Sequence, residues 1–225
     1  VGLELPATPV VAVGNNAFAN QMVLIIPAES WDSYQNAGWA AYAEQTAKDK
    51  ETLVMANGLQ WRTYYSKVGR MLPTGLKAYT VTSISNAEVE VGQPLDYVPA
   101  GKAVLIENST KTACTAEAVT SLENCLKTTD ESNLLQWLTT PKDVTVGEGY
   151  TLYKDEFVMV SSGTLPANIA FLPAGSSNAA RRLTISGGIG EVTDIDNTTA
   201  DVEDESEAVW YSLDGKKLTG KPSDK

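Results

Sequence analysis

The stretch Val98-Pro99-Ala100-Gly101-Lys102-Ala103-Val104-Leu105-Ile106 returns 67 positions later as Leu165-Pro166-Ala167-Asn168-Ile169-Ala170-Phe171-Leu172-Pro173. Each copy turns through Pro-Ala and, two residues on, enters a short apolar run. That pattern predicts a loop feeding a strand buried on at least one face. The shared residues are turn and core residues, so the repeat predicts a duplicated β unit and carries no catalytic pattern.

Around the copies the texture is the same. Short apolar or alternating runs at 61–65, 76–84, 89–91, 103–106 and 111–119, then at 150–153, 157–160, 169–172 and 182–185, predict strands. Pro73-Thr74-Gly75, Ser85-Asn86, Gly92-Gln93-Pro94 and Ser162-Gly163 supply the turns between them. Strands at this spacing without interleaved helical patterns argue for an antiparallel β-sandwich or barrel with internal duplication, here over 51–188. The segment 132–138 reads as a helical turn or as a loop that pins Trp137.

A small β/α unit is expected before it, over 1–50. The run 10–13 reads as a strand, Asn15-Asn16 as a turn and 22–26 as a second strand stopped by Pro27. Ser30 can then cap a helix on which Trp31, Tyr34, Ala37 or Gly38, and Tyr42 share a face for packing. A polar connector follows at 48–51. At the other end, 189–207 reads as an acidic linker, with eight acidic residues between Glu191 and Glu207. Beyond it 208–225 reads as a C-terminal hairpin turning at Asp214-Gly215.

Composition limits function more than it assigns it. Seventeen basic against 28 acidic residues give a net charge of −11, which repels a phosphate backbone, so nucleic acid is not an expected partner. No apolar run approaches the roughly 18–20 residues of a membrane span. There is no histidine, which removes the commonest general base and zinc ligand and every Ser-His or Cys-His pair. No catalytic residue, metal site or cofactor is therefore assigned, and an enzyme is not expected. Cys114 and Cys125 are the only cysteines. An even count in a loop-rich region fits one disulfide, which would imply an oxidising compartment, and two buried thiols are the alternative.

Two motif matches are incomplete, the second leaving at most a low-affinity calcium contact. Gly215 to Lys221 follow a phosphate loop until Pro222 stands where Ser or Thr would hold magnesium. Asp194, Asp196 and Glu205 fall at EF-hand positions, but Thr198 and Thr199 replace the fifth ligand and the turn glycine. The remaining candidates for binding are aromatic. Trp61, Tyr64 and Tyr65 could stack on the apolar faces of sugars, although core packing explains Trp61 and Tyr65 more simply. On a strand those two share a face and Tyr64 takes the other.

Three resemblances add a location. Ala17-Phe18-Ala19, Val23-Leu24-Ile25-Ile26-Pro27-Ala28 and Tyr34-Gln35-Asn36-Ala37-Gly38-Trp39 resemble the final turn of a BspA-type leucine-rich repeat, over about 35 residues. Only one such unit is visible, whereas a solenoid needs roughly three, so either preceding repeats have been removed or the unit is absorbed into the next domain. Tyr64-Tyr65-Ser66, Pro73-Thr74-Gly75-Leu76-Lys77-Ala78-Tyr79, the two Pro-Ala copies and Asn133-Leu134-Leu135 resemble, over about 115 residues, a module found near the C-termini of Bacteroidetes surface proteins. Ala208 to Leu218 is similar to the opening of the segment that often ends such proteins, where another strand normally follows; truncation after Lys225 is expected, as is loss of a leader or longer region before Val1. These resemblances imply a secreted or cell-surface accessory module, structural or adhesive, with an extracellular protein or glycan as partner. The alternative is a carbohydrate-binding domain using exposed aromatics.

Overall fold

A computed structural model describes residues 2–9, 22–85, 87–175 and 180–187. The expected strand at 10–13, the Asn15-Asn16 turn, the Ala17-Phe18-Ala19 phrase, the acidic segment and the C-terminal hairpin, with the two discounted motifs, lie outside the described residues.

The chain runs β1 (Gly2–Glu4), β2 (Val23–Ile26), α1 (Trp31–Asn36), β3 (Thr46–Lys48), β4 (Lys50–Met55), β5 (Trp61–Tyr65), β6 (Arg70–Met71), β7 (Leu76–Tyr79), β8 (Val81–Ser85), β9 (Glu88–Val91), β10 (Tyr97–Val98) and β11 (Ala103–Asn108). It continues through β12 (Cys114–Val119), β13 (Gln136–Leu138), β14 (Lys142–Val144), β15 (Gly149–Tyr153), β16 (Glu156–Met159), β17 (Gly163–Leu165), β18 (Ile169–Pro173) and β19 (Arg182–Ser186). The fold is mainly β, as expected, and most pairings are antiparallel.

Strand β11 is the centre of the architecture, because all six of its residues are buried. Its pleat sends Ala103 and Leu105 into one core and Val104 and Ile106 into another, which is why the sequence there is a continuous apolar run rather than an alternation. On one side the sheet β5-β11-β7 packs against the four-stranded sheet β10-β6-β12-β4. On the other it faces the seven-stranded sheet β13-β18-β15-β16-β19-β9-β8 across the largest core, with Tyr79, Tyr150, Phe157 and Leu172 between them. Only Thr80 separates β7 from β8, so these two sheets form one curled wall around that core, with β5 and β13 as its free edges.

The duplication is visible in the strand registers. Ala103 pairs with Tyr65 and Ala170 with Trp137; Leu105 pairs with Tyr79 and Leu172 with Tyr150; Val98 pairs with Arg70 and Leu165 with Lys142. The turn matches too. Gly101 and Asn168 take the same place in the two copies, and both have left-handed backbone, φ 69° and 63°. Glycine meets that requirement without a Cβ penalty, and asparagine is among the few other residues that visit it readily.

The N-terminal unit is built differently. β1, β2 and β3 form a parallel three-stranded ladder in which Gly2 faces Val23 and Leu24 faces Thr46; of these strands the sequence reading places only the one at 22–26. Leu24 and Ile26 face Tyr34, Trp39 and Tyr42 on the helical side. Ile25 and Ala47 face Val68 and Cys125 of the following β region. The helical segment is shorter than its aromatic periodicity suggests: α1 ends at Asn36, Gly38 turns left-handed at φ 89°, and a 3-10 segment, Trp39–Gln45, follows. Ser30 stands at the N-cap position but makes no side-chain cap hydrogen bond.

Three further expectations are corrected. The polar segment 48–51 is strand rather than connector: only Asp49 separates β3 from β4, its N–H donating to Ile26 O of the parallel ladder and its carbonyl accepting from Thr120 N beside the antiparallel one. The ambiguous segment at 132–138 ends in strand β13, antiparallel to β18. Cys114 and Cys125 are both free thiols. Cys114 begins β12 and packs against the core that holds Leu53 and Met55, whereas Cys125 lies six residues beyond the end of that strand in a separate cluster with Ile25, Ala47 and Val68.

Candidate functional site

The two free edges of the curled wall come together through side chains. Tyr65 ends β5 and Trp137 is the middle residue of β13; their rings stack with centroids 5.4 Å apart and planes 9° apart. Because Tyr65 pairs with Ala103 and Trp137 with Ala170, the two rings occupy matching places in the duplication. Both are half-buried.

Two clefts border this stack. The larger, about 700 Å³, is lined by Tyr65, Trp137, Thr139 and Asn168 from the β layers and by Trp31, Glu44 and Lys48 from the N-terminal unit, with Glu51, Ser66 and Arg70 also in its walls. The smaller, about 410 Å³, shares Tyr65, Trp137 and Thr139 and adds Gly101, Lys102, Asn133 and Gln136. The left-handed residue of one Pro-Ala turn thus borders one cleft and that of the other turn borders the second.

Arg70 gives the larger cleft its charge organisation. Its side chain is only 2% exposed, and it donates through Nε to Ser66 Oγ at 2.9 Å, through Nη1 to Lys48 O at 3.1 Å and through Nη2 to Glu51 Oε1 at 2.8 Å. Tyr64 donates its hydroxyl to the other carboxylate oxygen of Glu51 at 2.7 Å. Burial first, and then the Glu51 hydrogen bond and charge, push the Tyr64 phenol well above the usual tyrosine range. The exposed cleft charges are also paired. Lys67 reaches Glu44 at 2.6 Å, holding that carboxyl below its usual range chiefly by the hydrogen bond, and Lys48 Nζ lies 5.7 Å from the centre of the Trp31 ring.

Of the residues expected to contact a ligand, the structure keeps one at the surface. Trp61 is 5% exposed and packs edge-on to Tyr79 in the largest core. Tyr64, 9% exposed, belongs to the core between β5-β11-β7 and the four-stranded sheet. Tyr65 alone lines a cleft. Trp137 escapes a sequence reading as a site residue because its strand is only three residues long and lies in a segment without clear periodicity. Cys125 is buried and its thiol is pushed up by that burial, which keeps it protonated near neutral pH. Among the described residues no group of three or more acidic or cysteine side chains comes together to hold a metal ion, and no helix is long and apolar enough to cross a membrane.

Comparison with known proteins adds no relative: no family model, no curated protein and no solved structure matches the chain.

Proposed function

We propose that this chain is a non-catalytic structural and adhesive module of a secreted or cell-surface protein, in which the β layers hold the N-terminal parallel ladder in a fixed orientation. The observation that carries this reading is the junction at Asp49 and Arg70. The backbone passes from the parallel ladder to the antiparallel one through a single residue, and the buried Arg70 ties Lys48 O on the N-terminal side to Glu51 and Ser66 on the other. A flexible joint would show a solvated linker at that point. Here the joint has strand backbone and a buried cation that makes three hydrogen bonds.

Two measurements test it. Pulled between attachment points near Gly2 and Ser186, the chain is expected to unfold in one cooperative event; early release of the ladder at low force would remove the rigid-presenter role. An antibody raised against the folded chain is expected to label intact producing cells, and label confined to permeabilised cells would remove the surface assignment.

A further inference from the structure

The two clefts beside the Tyr65–Trp137 stack have properties that a rigid presenter does not require. A pair of parallel rings that merely closed the seam would have its faces covered. Instead both rings are half-buried, and both line each of two clefts of about 700 and 410 Å³, within the range of small-ligand sites. The charges around the larger cleft are spoken for: Glu51 by Arg70 and Tyr64, Glu44 by Lys67, with Lys48 placed over Trp31. An ionic ligand in that cleft would have to break those pairs; the smaller cleft adds one charged side chain, Lys102. A neutral ligand with apolar faces and hydroxyl edges would leave the pairs intact. Polar side chains that suit such edges, Thr139, Asn168 and Gln136, lie around the ring pair, and two clefts that share both rings suit a chain that runs past them better than a single compact molecule.

From this we infer that the Tyr65–Trp137 stack is the platform of a binding site for a neutral oligosaccharide, its pyranose faces laid against the aromatic rings and its hydroxyls met by Thr139, Asn168 and Gln136. The duplication supplies the two matching ring positions, and the N-terminal unit makes the clefts unequal by adding a wall with Trp31 to one of them. The site goes beyond the rigid-presenter role and is independent of it, since a cleft can be filled or empty whether or not the layers unfold together.

The test uses the full chain on an array of neutral gluco-, galacto-, manno- and xylo-oligosaccharides, with sialylated, sulfated and uronic acid glycans as anionic probes, followed by titration of the strongest neutral ligand by tryptophan fluorescence. The expected result is saturable binding of at least one neutral oligosaccharide, weakened roughly tenfold or more by Tyr65→Ala and by Trp137→Ala. Because those substitutions also loosen the seam, Thr139→Arg provides the second arm. Thr139 is exposed and lines both clefts, so a bulky side chain there should block binding while the circular dichroism spectrum and melting temperature stay unchanged. Tyr153→Ala, which removes an exposed ring on the β15–β16 hairpin, should leave the affinity unaltered. Retention of no neutral glycan at millimolar concentration, retention of anionic glycans alone, or a neutral ligand whose affinity survives Thr139→Arg would each overturn the proposal.

Discussion

The two copies of the Pro-Ala unit match where they share a core and differ where each has its own cover. Leu105 and Leu172, and Tyr79 and Tyr150, hold equivalent registers and enter the same apolar core. On their outer faces the copies part. Val104 and Ile106 lie under four strands, with Leu53 and Met55 of β4 above them. Phe171 lies under the two-stranded β14–β17 ladder, in a small cluster with Val144 and Val160. A single large ring in the second copy fills space that the first fills with an additional pair of strands, and those strands, β4 and β12, are the ones that carry the N-terminal unit. The duplication therefore supplies the core, and the asymmetry of its covers supplies the attachment.

The most damaging way to break this comparison is at the shared core. Leu105 and Leu172 are both fully buried, so Leu105→Ala and Leu172→Ala should each cost about 2–5 kcal/mol, with similar values and one unfolding transition in urea. Two separate transitions in either variant would mean that the copies do not share a cooperative core.

A smaller effect separates the outer faces. Arg70 and Lys142 sit at the same register position, opposite Val98 and Leu165, but β4 covers only the first. Arg70→Met removes three hydrogen bonds from a buried guanidinium; since the Glu51 side chain left behind is 41% exposed and keeps water, the expected cost is about 2–3 kcal/mol. Lys142 places its ammonium 4.9 Å from the centre of the Phe171 ring, and Lys142→Met should cost about 0.5–1 kcal/mol. Equal losses by chemical denaturation would show that the additional strands do not change the environment of this position.

Much of this asymmetry could not be read from the chain. The Pro-Ala phrases, the runs at 103–106 and 169–172 and the turn residues are local signals, and they predict duplicated β structure because strand burial and turn geometry act over a few residues. Tyr65 and Trp137 are not local to those phrases. Their separations from Ala103 and Ala170 differ, because the chain between them loops by different lengths in the two copies, so no fixed period links them. Trp61, Tyr64 and Tyr65 illustrate the same limit: alternation separates Tyr64 from its neighbours correctly, yet only the second layer determines that both faces of β5 are covered. In the ladder β1-β2-β3 the sequence shows β2, as the strand at 22–26, but not β1 or β3. Its rungs are three or four residues long, and Ala47-Lys48 in a polar stretch has no apolar periodicity to announce it.

A substitution inside the second copy sharpens the comparison further. Ala78 and Gly149 are equivalent, opposite Ile106 and Pro173. Ala78 lies with Val104 in its core, whereas a Cβ on Gly149 would come 2.5 Å from the Phe171 ring and from Leu172 O. The small-with-medium pair of one copy is thus replaced by a none-with-large pair in the other. Gly149→Ala should destabilise by about 1–3 kcal/mol. Combined with Phe171→Val it should cost less than the two single changes together, with a coupling of about 0.5 kcal/mol or more; strict additivity in denaturation would show that the ring and the glycine are not matched to each other.

The smallest expected effect concerns protons. Tyr64 and Gln136 are equivalent, opposite Val104 and Phe171, but only Tyr64 is buried and bonded to a carboxylate. Burial, with Glu51 second, raises the folded-state pKa of Tyr64 above the value of about 10 expected for the unfolded chain. Below pH 10 the phenol is protonated in both states and its contribution is fully present. Above it the unfolded chain loses the proton while the folded one holds it, so stability falls as pH rises, by up to about 1.4 kcal/mol per pH unit for this one group. Burial raises Tyr34 and Tyr150 in the same direction, so they contribute to the slope of the native protein. Tyr64→Phe should therefore cost about 1 kcal/mol near neutral pH but show a shallower decline above pH 10, narrowing its deficit. Gln136→Ala should leave the slope unchanged. Urea unfolding at intervals between pH 7 and 11 measures both, and parallel declines in the native protein and Tyr64→Phe would place the alkaline sensitivity outside the first copy's outer core.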